Sequence, residues 1–324
     1  MTAWYSTTSD EEDAAADLAC ERLRLASLLT IVVALTAAAI PAGWLGVRWS
    51  VAGSASAALS LAVLLGASLR LRSAGLATTR IATFSEIFGI ALLGGLLSAA
   101  VAMVALRSGA PMADPWLKSA DSTFGLSAQA LVAGIAGLGF SLEPLHLIYH
   151  SSFPQIAGTI LLLSLLGRRL EAWRLCFLFL VTLLSCALIS FAIPAYGSFV
   201  DAAPSTIAAL PAGAGTFAFG TVDQLRQAGV AILAIHDLEG VITFPSFHTI
   251  MALLVVQAWW WNRFLRLPVL GWNLAVIFST LPMGGHYFVD LVAGALLWLA
   301  WDGIADRVGK GSVSVRWGRA AAVT

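Results

Sequence analysis

The chain has 324 residues, of which 59% are hydrophobic and 11% charged, with 18 basic and 18 acidic side chains and a mean hydropathy of +0.87. Soluble domains hold roughly 45–50% apolar residues, so the solvent for most of this chain is lipid. A net charge of zero with no basic stripe excludes a nucleic-acid partner, which needs Lys and Arg to neutralise phosphates.

Met1 to Asp17 carries Asp10, Glu11, Glu12 and Asp13 where a secretory signal would need positive charge. The first apolar run is therefore expected to stay as a membrane anchor. At about 20 residues per crossing, eight spans are predicted near 26–46, 50–69, 86–106, 146–166, 173–195, 246–262, 268–282 and 287–303. The Gly- and Ala-rich stretch 125–141 reads as an interfacial or re-entrant segment. Cys20, Cys176 and Cys186 have no metal-type or disulfide-framework spacing and read as packing residues. The expected architecture is an all-α, polytopic helical bundle. It divides into a cytoplasmic tail (1–25), two accessory spans (26–80), a six-span catalytic core (86–303) and a cytoplasmic tail (304–324).

With eight crossings both termini share a side. Fourteen of the 18 basic residues fall on that side, Arg72, Arg316 and Arg319 among them, and only Arg48, Arg107, Lys118 and Arg226 on the other. The skew predicts cytoplasmic termini and an inner (plasma) membrane location. The external loops, about 107–145 and 196–244, are then long enough to be functional. In the first, Trp116 and Leu117 suit a segment at headgroup level.

Ionisable groups at the mouth of a membrane span are functional candidates. Thr243-Phe-Pro-Ser-Phe-His248 and Gly284-Gly-His-Tyr-Phe-Val-Asp290 each stand where an apolar run begins, facing the external side. His286 and Asp290, four apart, share a helix face, so the carboxylate can fix one imidazole nitrogen and leave the other free to attack phosphorus. His248, at the head of another helix, can protonate a leaving oxygen. Ser246 suits phosphate binding beside a helix N-terminus, or simple capping of that helix. Arg226 is the arginine of the second external loop, and its planar fork fits a phosphate oxyanion. His150, Tyr149 and Asp237 are candidate headgroup contacts.

Pro245-Ser-Phe-His248 and His286-x-x-x-Asp290 resemble the second and third signature motifs of the type 2 phosphatidic acid phosphatase superfamily. Phe244-Pro-Ser-Phe-His248 with Gly285-His-Tyr-Phe-Val-Asp290 looks like the inositol phosphorylceramide synthase-like branch. The resemblance implies a phosphohistidine on His286, orientation by Asp290, acid and base work by His248 and phosphate binding by Ser246, with no metal and no cofactor. It implies a phospholipid or other lipid-phosphate substrate and, in a transferase, an alcohol acceptor of inositol, sugar or ceramide type. Water as acceptor would make the protein a lipid phosphatase. The sequence departs from the pattern in three places. Phe247 stands where Gly is usual, Ser279-Thr280 where Ser-Arg is expected, and the first motif, K-x6-R-P, is absent. Two other readings use the same residues: a proton-coupled transporter, and a hydrolase with Ser246 as nucleophile.

Overall fold

The computed structural model describes residues 3–51, 54–71 and 75–310. Arg72, and the end of the expected carboxy-terminal tail with Arg316 and Arg319, lie outside the described residues. In lipid every backbone N–H and C=O must find its partner within the segment, so apolar runs close into helices. The order is α1 (Ala3–Trp44), β1 (Val47–Trp49), α2 (Ser54–Leu71), α3 (Leu76–Ala105), α4 (Asp114–Thr123), α5 (Ala128–Gly137), α6 (Glu143–His150) and α7 (Ser152–Leu165). Then follow α8 (Arg169–Ile189), α9 (Pro204–Ala208), α10 (Phe219–Gln227), β2 (Ala231–Leu233), α11 (Phe247–Trp259), α12 (Arg266–Gly284) and α13 (Phe288–Lys310). Among the described residues five helices are long and apolar enough to cross a membrane: Glu11–Trp44, Ala77–Ser108, Arg169–Ile189, Arg266–Gly284 and Phe288–Gly309. The protein is a multi-pass, predominantly helical membrane protein.

Three predicted spans come out differently. The run 146–166 is two helices, α6 and α7, meeting at Ser151. Pro154 cannot donate to His150, and the Ser151 and Ser152 hydroxyls bond the carbonyls of Ile148 and Tyr149 at 2.6 and 2.7 Å, taking over the ladder there. α11 has 13 residues, about 20 Å at 1.5 Å per residue, and α2 has 18. The stretch 125–141 folds as α5, whose ten residues reach about 15 Å, half the hydrocarbon thickness. The tail boundaries also shift: α1 begins at Ala3 and α13 runs on to Lys310, so both spans continue into the expected tails.

Among the described residues two short elements are strands. β1 pairs in parallel with β2, Val47 opposite Ala231 and Trp49 opposite Leu233. This ladder ties the α1–α2 connection to the long loop 196–244. Arg107 strengthens the same seam by donating to the carbonyls of Leu45 (2.6 Å), Ala228 (2.8 Å) and Gly229 (3.0 Å).

The core joins α1, α3, α7, α8 and α11 through Leu23, Ile87, Ile160, Leu180 and Ile250. At the end of the bundle remote from β1 and β2, ion pairs cross between helices: Arg24 to Glu86 at 2.8 Å, Arg169 to Asp17 at 3.1 Å and Arg174 to Asp306 at 2.6 Å. The other end, where α11 and α13 begin, is roofed by α4, α5, α6 and the loops. Leu117 is fully buried against Ala195 and Tyr287, so of the expected headgroup pair only Trp116 is exposed.

Candidate active site

Two backbone features bring the motif segments together. The Ser246 N–H donates to the Asp290 carbonyl at 3.0 Å, joining the entry of α11 to the first turn of α13. One turn further, a Cβ on Gly294 would stand 2.6 Å from the Ser246 carbonyl oxygen, so only glycine permits this crossing.

His286 sits in the turn between α12 and α13, just after Gly285, which closes α12 at φ +66°. Its Nδ1 lies 3.2 Å from Asp290 Oδ2, which also accepts from the Tyr287 N–H at 2.8 Å. His286 is 3% exposed and Asp290 fully buried, and Asp290 Oδ1 has no hydrogen-bond donor. Loop backbone holds the turn from outside. Ser198 N–H donates to Gly285 O, and Gly215 N–H to Met283 O, each at 2.7 Å. A Cβ on Gly285 would meet the Gly215 carbonyl oxygen at 2.5 Å. The carboxylate therefore accepts from Nδ1–H, leaving the Nε2 lone pair as the free edge of the ring.

His248, on the first turn of α11, stacks on Tyr149 of α6 with ring centroids 4.1 Å apart and planes at 21°. The Tyr149 hydroxyl lies 3.3 Å from His248 Nδ1. Gly284 separates this pair from His286: a Cβ there would be 3.2 Å from Tyr149 Cε2 and 2.8 Å from His286 Cδ2. Tyr149, His248 and His286 line one cavity of about 770 Å³, together with His146 and His150, whose Nε2 atoms are 3.1 Å apart.

Sequence reasoning missed two buried acids of α4. Asp114 accepts from the N–H groups of Tyr196 (3.0 Å) and Gly197 (2.8 Å) and from the Tyr287 hydroxyl (3.2 Å). Asp121 accepts from the N–H groups of Phe288 (2.8 Å) and Val289 (2.9 Å), capping α13 from a distant segment. The available signal was two carboxylates seven apart, hence on one helix face, in a chain poor in charge.

Three expected ligand contacts are placed elsewhere. Ser246 is fully buried and caps α11, its Oγ accepting from Thr249 N and Thr249 Oγ1 at 3.4 and 3.1 Å, outside the cavity lining. Arg226 donates to the carbonyls of Ala110 (2.9 Å) and Leu106 (3.4 Å), which take up its fork just past α3, and does not line the cavity either. Asp237 accepts from Ala234 N at 2.7 Å and faces His236, which makes it a local turn residue. Tyr196, at the rim, bonds Asp223, which holds its phenol above the ordinary range. Among the residues lining the cavity there is no Lys or Arg, and Glu239 is the one carboxylate. No three His, Cys, Asp or Glu side chains among the described residues converge as a metal-ligand set.

A His-Asp pair and a second histidine thus meet in one cavity within a multi-pass helical bundle. The chain belongs to the PAP2 superfamily, whose family model matches residues 115–302. The match takes in both motif segments and every helix from α5 to α12, and leaves α1, α2 and α3 outside. No curated protein and no solved structure matches the chain.

Proposed function

We propose that the protein moves a substituted phosphoryl group from a phospholipid to an alcohol acceptor, through a phosphohistidine on His286, as in the inositol phosphorylceramide synthase-like branch its motifs resemble. His286 Nε2 attacks phosphorus and the P–O bond to the first alcohol breaks, while protonated His248 gives that oxygen its proton. The acceptor then loses its hydroxyl proton to neutral His248 and its oxygen attacks phosphorus, breaking the P–N bond and restoring both rings. Asp290 offsets the charge that develops on His286. The observation that carries the reading is the pairing of His286 Nδ1 with buried Asp290 on the wall of the cavity that His248 also lines.

The absence of Lys and Arg from that lining supports a phosphodiester donor. A monoester is a dianion near neutral pH and needs cations beside it in a low-dielectric site, whereas a diester carries a single charge. The first-turn N–H groups of Phe247 and His248, which have no intrahelical acceptor, stand beside the cavity and can bind such an anion. Capping by Ser246 speaks against its use as a nucleophile. The Lys and Arg distribution supports cytoplasmic termini and a site facing the external leaflet. Rapid quench with a phosphorus-labelled phospholipid is expected to leave acid-labile label on the wild type and none on His286→Ala. Undiminished turnover by His286→Ala would overturn the proposal.

A further inference from the structure

The cavity is larger than a phosphate and its two alcohols require, and its far part is apolar. From the histidines it runs along one face of α3, past Ala99, Leu96, Gly95, Leu92, Ala91 and Phe88. These positions recur every three or four residues, the period of a single helix face. From Ala102 to Phe88 the face is about 21 Å long at 1.5 Å per residue. Ile156, Ala157 and Ile160 of α7 and Phe179 and Leu183 of α8 form the facing walls. The wall is kept open by small residues: a Cβ on Gly95 would meet nothing within 4 Å. Within the same helix, Gly94 is packed so tightly that a Cβ would lie 2.3 Å from Leu180 Cδ2. The two neighbouring glycines thus do different work, one admitting α8 and the other leaving the cavity free.

We infer that the α3 face is a tail chamber, which holds one long hydrocarbon chain of the lipid whose phosphate is presented to His286. The occupant is set by continuity: the chamber opens on the catalytic histidines, so whatever fills it is joined to the group at phosphorus or lies next to it. Its wall offers no hydrogen-bonding side chain between Ala99 and Phe88, which excludes a polyol or a peptide. α3 precedes the segment 115–302 that the family model matches, so one wall of the chamber comes from a helix outside that segment. Chain-length selectivity is then set at Gly95, on a helix that carries none of the proposed catalytic residues.

The inference rests on the phosphotransfer reading for the position of the phosphate, and the test separates the two. Alkyl p-nitrophenyl phosphates with methyl, octyl and hexadecyl chains are phosphodiesters that differ only in tail. In one detergent, wild-type kcat/KM is expected to rise from methyl to hexadecyl by on the order of a hundredfold or more, since each buried methylene favours binding. Gly95→Trp, which fills the chamber from α3, and Ala157→Phe, which fills it from α7, are expected to bring that ratio close to one. Binding of hexadecyl phosphocholine, measured by titration calorimetry without turnover, is expected to weaken in both variants. If both variants keep the wild-type chain-length ratio and calorimetric affinity, the chamber assignment is overturned. If His286→Ala still cleaves the esters while the two variants lose affinity, the phosphohistidine reading fails and the chamber stands.

Discussion

Asp121 caps a helix that begins 167 residues after it: its carboxylate accepts from the Phe288 N–H at 2.8 Å and, with its other oxygen, from Val289 at 2.9 Å. The first turn of α13 carries Asp290, so the short helix α4 sets the direction from which the His286 partner is presented. Asp121→Ala leaves two part-buried N–H groups without this acceptor and is expected to cost about 1–2 kcal/mol. Thermal unfolding in detergent should show the loss. Turnover should fall further than stability accounts for, and Asp121→Asn should recover part of both.

Glycine substitutions should divide by what their Cβ meets. Gly294→Ala presses on the Ser246 carbonyl oxygen and Gly285→Ala on that of Gly215, and Gly285 also holds φ +66°. Both face backbone, which cannot swing aside, so each is expected to destabilise by about 1–3 kcal/mol and to abolish most activity. Gly271→Ala and Gly303→Ala meet nothing within 4 Å in helical positions and are expected to be neutral or to stabilise by up to about 1 kcal/mol. Melting temperatures of the four variants, read beside their turnover, check the division.

Tyr149 stacks on the His248 ring and sets its hydroxyl beside Nδ1, so in the proposed reaction it positions His248. Tyr149→Phe keeps the stack and removes the hydrogen bond, so kcat is expected to fall by roughly five- to tenfold with KM little changed. Tyr149→Ala removes both and should fall further. The pH dependence of kcat is the decisive readout, because loosening His248 moves the limb that it governs, whereas a packing defect lowers the whole profile.

The Lys118 ammonium and a hydrogen bond from Gln129 hold the Asp201 carboxyl below its usual range. A depressed carboxyl contributes stability that is complete above its unfolded pKa and disappears as the pH falls through the folded value. Because both partners are about half exposed, the contribution is under about 1 kcal/mol. Asp201→Asn should therefore melt slightly below the wild type at pH 7, and the two should converge in acid. A gap that persists or widens on acidification contradicts the pairing.

The histidines, Asp290 and the apolar runs were legible because each is encoded within one stretch: four residues set a helix face, and about twenty set a span. Other features depend on what one stretch meets in another. Asp114 and Asp121 look like ordinary polar residues of a short loop helix until Tyr196, Gly197 and Phe288 arrive as donors. Arg226 reads as free to meet a phosphate because nothing near it in sequence shows that the carbonyls of Leu106 and Ala110 accept its fork. The break at Ser151 was written in Pro154 and two serines, but hydropathy averaging over 146–166 conceals it.

The small ladder between β1 and β2 joins segments more than half the chain apart. During synthesis, residues 47–49 wait for their partner until 231–233 have emerged, by which time α1 to α8 have all been made. The amino-terminal hairpin of helices can dock but cannot be locked until then. A truncation ending before residue 231 should accordingly leave the α1–α2 connection open to protease, and restoring that short strand should close it.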